Sequence, residues 1–518
     1  MIRGCFRFSL IASASCQRGA FPSVDHHFTV SPRRNHSETS ESRTSLEPTL
    51  KSYDELPGNW RNNWFNAFTF WRNNDIKNTH NVMLNNFNKY GPIYRERIGY
   101  YNSVNIINPE DAAILFRAEG IFPERLKMRA WMAYRDFRKE NYGVLLKSGE
   151  DWKKNRLILN KALFTPQITQ KFVPLLNEVA LDFVSMTYKE IEKSGRGKWT
   201  IDLSNDLFKF ALESICHILY GERLDILQGH QNDASQRFID SIPMMFKSTT
   251  PMLYIPPGLL KSINSKVWQD HIGSWDIIFA HANNCIQKSY RQIQKGLKED
   301  RTYPGVLADL LLQDMLPLED IRASITEIMA GAVDTTSTTL LWTMYELAKN
   351  PHIQENLRSE VVEANEKAGG DSLQMLKLLP LLRATLKETL RLHPVAISLQ
   401  RYISEDIVLQ NYHIPSGTLV QLGLYAMGRN SKVFSDPGRY NPERWLTPGR
   451  TNFRHLSFGF GPRQCIGRRI AEMEMLIFLI HMLQNFKIET SRTADVKATF
   501  DLILIPENPI ILALKPIK

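Results

Sequence analysis

The sequence predicts a mainly α fold with small β-sheets, carried by one large domain. Apolar residues recur at helical spacing over 167–194, 204–220, 272–299, 318–349, 351–366, 377–392 and 467–484. Short β-like runs lie between these segments. No Pro/Gly/Ser-rich linker or repeat interrupts the chain after roughly residue 60. Length alone would divide 518 residues into about three domains. The unbroken pattern and a 43% hydrophobic content instead point to one large core.

The first 24 residues hold Arg3, Arg7 and Arg18, several serines and no acid, the pattern of a mitochondrial transit peptide. We assign residues 1–45 to that address and 46–518 to the domain. No run of about 18 apolar residues exists to span a membrane. The β-like runs are Ile93 to Ile98, Val104 to Ile107, Ile407 to Leu409 and Leu419 to Leu422. A last run, Leu502 to Leu514, reads as a hairpin broken by Pro506 and Pro509. The longest helix begins after Pro317, carries Glu319 and Asp320 in its first turn, and stops before Asn350-Pro351. At about 1.5 Å per residue it spans ~47 Å, so it crosses the core.

Five cysteines (Cys5, Cys16, Cys216, Cys285, Cys465) with no CxxC spacing argue against a disulfide framework and for a reducing compartment. The formal charge of +10 suits an acidic protein partner, an anionic membrane or a nucleic acid. No nucleic-acid motif or basic–aromatic interleaving is present, which sets the last aside.

The most informative chemistry lies at Cys465, in Phe458-Gly-Phe-Gly-Pro-Arg-Gln-Cys-Ile-Gly-Arg-Arg469. Gly461 and Gly467 offer backbone freedom for a tight loop. N–H groups turned toward the sulfur, with a nearby arginine, would lower the thiol pKa. A lone cysteine that ligates a metal points to haem iron, because zinc and iron–sulfur sites need several protein ligands. The alternative is a small buried hydrophobe. The pattern Phe458-x-x-Gly461-x-Arg463-x-Cys465-x-Gly467 resembles the haem-binding loop of the cytochrome P450 family. That resemblance implies the P450 fold and a haem-thiolate monooxygenase. Its cofactor would be haem b (iron protoporphyrin IX), with Cys465 as axial ligand of the iron and Arg463 on a propionate.

Other segments take roles by the same resemblance. Ala330-Gly-Ala-Val-Asp334-Thr335-Thr336 sits in the middle of the longest helix. Gly331 lowers helix propensity there, and Thr335 can bond back to a carbonyl and open the ladder locally. Oxygen activation needs protons, and the resemblance implies Thr335 as the distal alcohol and Asp334 as the relay acid. Ala332 stands where many members have a second glycine. Glu388 and Arg391, at i and i+3, with Arg444 downstream, resemble the family's buried Glu–Arg–Arg cluster, a structural lock for the cysteine loop. Trp152, Arg156 and Arg401 would donate to haem propionates.

No flavin- or nicotinamide-binding segment is present, so electrons must come from another protein. Arg383 and Lys387, four apart, with Arg468 and Arg469, form a candidate basic patch. In mitochondrial members such a patch docks an acidic [2Fe–2S] ferredoxin (adrenodoxin), fed by an NADPH-dependent reductase; the bland alternative is a solvated charged face.

Gly58-Asn-Trp-Arg-Asn-Asn-Trp64, Asn141 to Lys147, Ser398-Leu-Gln-Arg401 and Leu424 to Arg429 resemble the branch of the family that acts on cholesterol. This implies hydroxylation at C22 and C20, then C20–C22 cleavage to pregnenolone. It places Met128, Trp131, Met245, Phe246, Ser398, Gln400, Phe500 and Leu502 in the sterol pocket. Ala396 and Tyr254 depart from the polar serine and asparagine expected there. The apolar segment Pro251 to Leu260 is read as dipping into a membrane, which implies peripheral attachment on the matrix side of the inner mitochondrial membrane. The rival readings are another mitochondrial steroid hydroxylase, such as one acting at the 11β position, and a non-catalytic haem or sterol carrier.

Overall fold

A computed structural model describes residues 50–229, 233–295, 303–447, 453–490 and 495–517. The transit-peptide assignment lies outside the described residues. The described chain is mainly helical; its five-stranded sheet packs in a second apolar cluster, while a three-stranded sheet packs into the main helical core.

The longest helix runs Leu318–Lys349, with Glu319 and Asp320 at its start and Lys349 at its end. These charges complement the helix dipole. From Val333 onward almost every residue is buried, because neighbours cover the helix on all sides. It packs against helices Ser204–Tyr220, Lys266–Gln294 and Pro380–Leu392. The segment read as 377–392 divides at Pro380, which opens the second helix and lacks the N–H needed to continue the first. The segment read as 167–194 divides into Pro166–Gln170 and Phe172–Ser194. Helices Thr79–Tyr90, Gly149–Leu163 and Asp233–Thr249 were not visible as periodic segments. Their sequences mix many polar residues, and the last contains Pro243.

A five-stranded sheet runs in the order Gly58–Asn59, Ile93–Ile98, Tyr101–Ile106, Leu419–Gly423, Ser398–Tyr402. Its last two strands pair antiparallel, Ser398 opposite Gly423, which sets Ser398 and Gln400 beside the core. The expected C-terminal hairpin over Leu502 to Leu514 does not form. Leu502, at φ 63°, turns the chain so that Ile503–Pro506 pairs back onto Ala498–Asp501. Ile511–Pro516 instead runs between Trp199–Asp202 and Phe486–Glu489, where Leu512, Ala513 and Leu514 are buried.

Candidate active site

The cysteine loop is closed by its own backbone. The Cys465 N–H donates to the Phe458 carbonyl at 2.8 Å, and the Gln464 N–H to Gly461 at 3.1 Å. The positive φ angles fall at Gly459 (75°) and Gly461 (72°). Gly467, expected to share that task, has φ −86° and caps helix Arg468–Asn485 instead. At Gly461 a side chain would also strike the Glu119 carboxylate. Cys465 is exposed only toward an internal cavity. Burial in protein pushes its thiol pKa up, while the Gly467 N–H and Arg156 pull it down. The expected net lowering is therefore not found: desolvation outweighs the favourable groups.

The cavity has a volume of about 510 Å³. Cys465, Phe458 and Gly467 lie in one part of its wall, and Gly331, Ala332 and Thr335 of the longest helix in another. Four arginines also border it: Arg125, Arg156, Arg401 and Arg463. Arg463 donates to the carbonyls of Pro123 (2.8 Å) and Lys147 (2.9 Å) and lies 4.1 Å from the centre of the Trp152 ring. Arg156 donates to the Gln464 carbonyl at 2.7 Å, and its Nε is buried without a partner. Arg401 bonds Glu119 at 2.6 Å. Arg125 donates to the Leu145 carbonyl at 2.5 Å. Burial, then the other guanidinium groups, lowers Arg463 to about 9. Burial, then Arg401, lowers Arg125 to about 10. Among the described residues only Arg401 of the four has a carboxylate within ion-pair distance. Such crowding is a site for an anion that the protein itself does not supply.

A family model, cytochrome P450, matches residues 57–514. The chain belongs to the cytochrome P450 family. It is 64% identical over 513 residues, 99% of this chain and all of the relative, to the mitochondrial cholesterol side-chain cleavage enzyme of Hypanus americanus. It is 57% identical to the enzyme of the same name from Oncorhynchus mykiss, over 94% of this chain and 95% of that one. It is 48% identical to the mitochondrial cytochrome P450 11B of Aquarana catesbeiana, over 91% of each.

P450 proteins are haem-thiolate proteins, and the residues present fit that group. A sulfur faces the cavity, a planar group has room beside it, and the arginines supply charge for two carboxylates. The sequence reading found Trp152, Arg156, Arg401 and Arg463, all in the cavity wall. Arg125 was not foreseen, since it stands in no motif and in the sequence is one of several charged residues, with Glu124, Lys127 and Arg129 beside it.

In this P450, Thr335 bonds back to the Gly331 carbonyl at 2.7 Å, as expected. The ladder does not open, since the helix is continuous from Leu318 to Lys349. A carbonyl has two lone pairs and can accept both bonds. Asp334 is buried behind the cavity wall and accepts from the Thr338 hydroxyl at 3.2 Å. Burial raises its pKa to about 7.

The buried Glu388 cluster is fully bonded. The Glu388 carboxylate accepts from Arg391 (2.7 and 2.9 Å), Arg444 (3.0 Å), the Trp445 indole (2.8 Å) and the Asn441 N–H (2.8 Å). Arg391 also bonds the carbonyls of Gly428, Pro437 and Arg439.

The expected sterol wall is mostly assembled: Met128, Trp131, Phe246, Ser398, Gln400, Phe500 and Leu502 border the cavity. Met245 does not. It is wholly buried one helical position from Phe246, and successive helical side chains point about 100° apart. Gln400 donates to Ser398 (3.0 Å) and to Gln421 (3.1 Å), which also receives the Tyr101 hydroxyl. Glu96, missed in the sequence, borders the same cavity. Burial raises its pKa to about 7 against an opposing bond from Asn86.

Lys387 and Arg468 lie close enough to half-buried His455 to act on it, and its pKa falls to about 3 through desolvation and then these two charges. Arg383 is exposed and bonds the Leu376 carbonyl at 2.8 Å, and Arg469 covers the Phe164 ring. The segment Pro251 to Leu260 is largely packed inward: Met252 and Leu260 are buried and Tyr254 borders the cavity. Only Leu259 (54%) is a strongly exposed apolar side chain there. The larger apolar display, on helix Asn63–Arg72, was not foreseen; it exposes Trp64 (76%), Phe65, Phe68 and Trp71 (65%).

Proposed function

We propose that this P450 is a monooxygenase that converts cholesterol to pregnenolone by hydroxylation at C22 and C20 followed by C20–C22 cleavage. The observation that carries the reading is a cavity whose wall brings together Cys465, Thr335, many apolar side chains and the polar Ser398, Gln400 and Gln421. The full-length 64% identity to a side-chain cleavage enzyme supports it.

Cys465 would hold the iron of haem b, and Trp152, Arg156, Arg401, Arg463 and Arg125 would hold its propionates. The chemistry that group supplies when bound is activation of O₂ for insertion into C–H bonds. The chain's own residues orient and protonate. Trp131, Met128, Phe246, Phe500 and Leu502 enclose an apolar body and exclude water. Gln400, with Gln421 and Ser398, offers a polar anchor for the sterol hydroxyl, directly or through water. Thr335 presents a hydroxyl to the cavity, and Asp334, near neutral pKa, can take and return a proton behind it.

Electrons would come from a [2Fe–2S] ferredoxin and its NADPH-dependent reductase, docked at Arg383, Lys387, Arg468 and Arg469. Charge reversal at Lys387 should raise KM for ferredoxin most at low ionic strength. The exposed aromatic side chains of helix Asn63–Arg72, with Leu259, suit peripheral attachment at the matrix face of the inner membrane.

The deciding experiment incubates purified holoprotein with cholesterol, ferredoxin, reductase and NADPH and analyses products. Pregnenolone is expected. The 48% identity to an 11B relative favours a second reading, a steroid hydroxylase; a hydroxylated steroid with no pregnenolone would establish that instead. Thr335→Ala should consume NADPH yet give more peroxide and less product. Unchanged coupling would exclude the proton role.

A further inference from the structure

Two cysteines stand apart from the site. Cys216 is buried on helix Ser204–Tyr220, and Cys285 is partly exposed on helix Lys266–Gln294. The two helices pack against each other, Lys288 and Glu222 tie them together nearby, and the two thiols are close enough to shift each other's titration. The His281 ring, one turn before Cys285, lies with Nε2 3.7 Å from its sulfur, and His281 stacks on Phe238. Lys288, beside Cys285, bridges to Glu222 just beyond the other helix at 2.8 Å.

We propose that Cys285 and Cys216 are an oxidisable thiol pair: a peroxide converts Cys285 to a sulfenic acid, and Cys216 then closes a disulfide between the two helices. The roles divide by environment. Cys285 is reachable from solvent, and the Cys216 thiol, His281 and Lys288 all favour its thiolate, lowering its pKa to about 5. Cys216 is raised by the neighbouring Cys285 and by burial, so it keeps its proton. Among the described residues no group of three or more His, Cys, Asp or Glu could hold a metal, which leaves thiol chemistry for the pair.

The step balances with one hydrogen peroxide. The thiolate sulfur of Cys285 bonds one oxygen as the O–O bond breaks, and the other oxygen leaves as hydroxide. The Cys216 sulfur then attacks, the S–S bond forms, and the sulfenic oxygen leaves as water. The thiol pair loses two electrons and the peroxide gains them. The proposal is independent of the substrate assigned above.

The test treats purified holoprotein with a small molar excess of hydrogen peroxide, followed by digestion without reduction and mass spectrometry. A cross-link between the peptides holding Cys216 and Cys285 is expected. In Cys216→Ser the cross-link should vanish and Cys285 should be captured by dimedone as sulfenic acid. In His281→Gln, alkylation of Cys285 by iodoacetamide at about pH 6.5 should slow by about tenfold or more. The absence of the cross-link in wild-type protein with its haem spectrum intact would overturn the proposal. So would equal alkylation rates with and without His281.

Discussion

Two regions of this P450 bury charge, and they do so in opposite ways. At the start of the Pro442–Trp445 turn, Glu388 has two arginines, an indole and a backbone N–H on its two oxygens, and Arg391 spends its remaining donors on three carbonyls. Around the cavity, four arginines share one close carboxylate, and Asp334 holds one hydroxyl donor. The first region is complete in itself. The second is complete only when something else is bound or a proton moves. Buried charge with every lone pair matched is architecture; buried charge left short of partners marks where a ligand or a proton goes.

The largest effect should come from breaking the complete region. Glu388→Ala leaves Arg391 and Arg444 charged and without their carboxylate, and strips the Trp445 and Asn441 donors of their acceptor. The cost of removing one partner of such a buried pair is ~3–5 kcal/mol. Urea unfolding should show that loss, and expression should yield little folded haem protein. A stability change below about 1 kcal/mol would mean that the network is not what holds the loop.

Asp334→Asn should have the next largest effect, and one that depends on pH. The folded carboxyl keeps its proton up to about pH 7, while an unfolded aspartate releases it near its ordinary value of 3.8. Between these values the folded state binds more protons, so wild-type stability falls as pH rises across that window. The shift corresponds to a ceiling of ~4 kcal/mol at about 1.36 kcal/mol per unit. The asparagine variant should therefore gain on wild type from about pH 4 to about pH 7 and hold a constant margin above it, read from urea midpoints of the holoprotein. A margin independent of pH would show that Asp334 is ionised in the fold and belongs with Glu388. The same variant should slow product formation.

Much of this contrast was legible in the chain and some was not, for physical reasons. Helix Leu318–Lys349 announced its ends through Pro317, two first-turn acids and Asn350-Pro351, all local signals. The Glu388 cluster and the cysteine loop were legible because their spacing is tied to known motifs. Properties set by the sum of many distant neighbours were not. The Cys465 thiol is raised because burial outweighs three favourable groups, Gly467, Arg156 and Arg468, and Gly467 faces the sulfur at an ordinary φ while Gly459 takes the left-handed one. Met245 and Phe246 differ by one helical step, too fine for a pattern to decide which meets the cavity. One of the two partners of Ile511–Pro516 is a strand some three hundred residues earlier, a pairing that no local turn signal encodes.

Arg125 is the residue that separates the two regions most finely, since no motif contains it and its visible partner is one neutral carbonyl. If it belongs to the cavity's incomplete charge, Arg125→Ala should cost the fold no more than ~1 kcal/mol, because lost repulsion from Arg401 and Arg463 offsets most of the ~1.5–3 kcal/mol worth of a hydrogen bond from a charged group. It should nonetheless speed haem transfer to apomyoglobin by about tenfold, the loss of one charge-assisted contact to a propionate. A variant that unfolds like Glu388→Ala while holding haem as tightly as wild type would move Arg125 into the architectural set and leave the anion to the other three guanidinium groups.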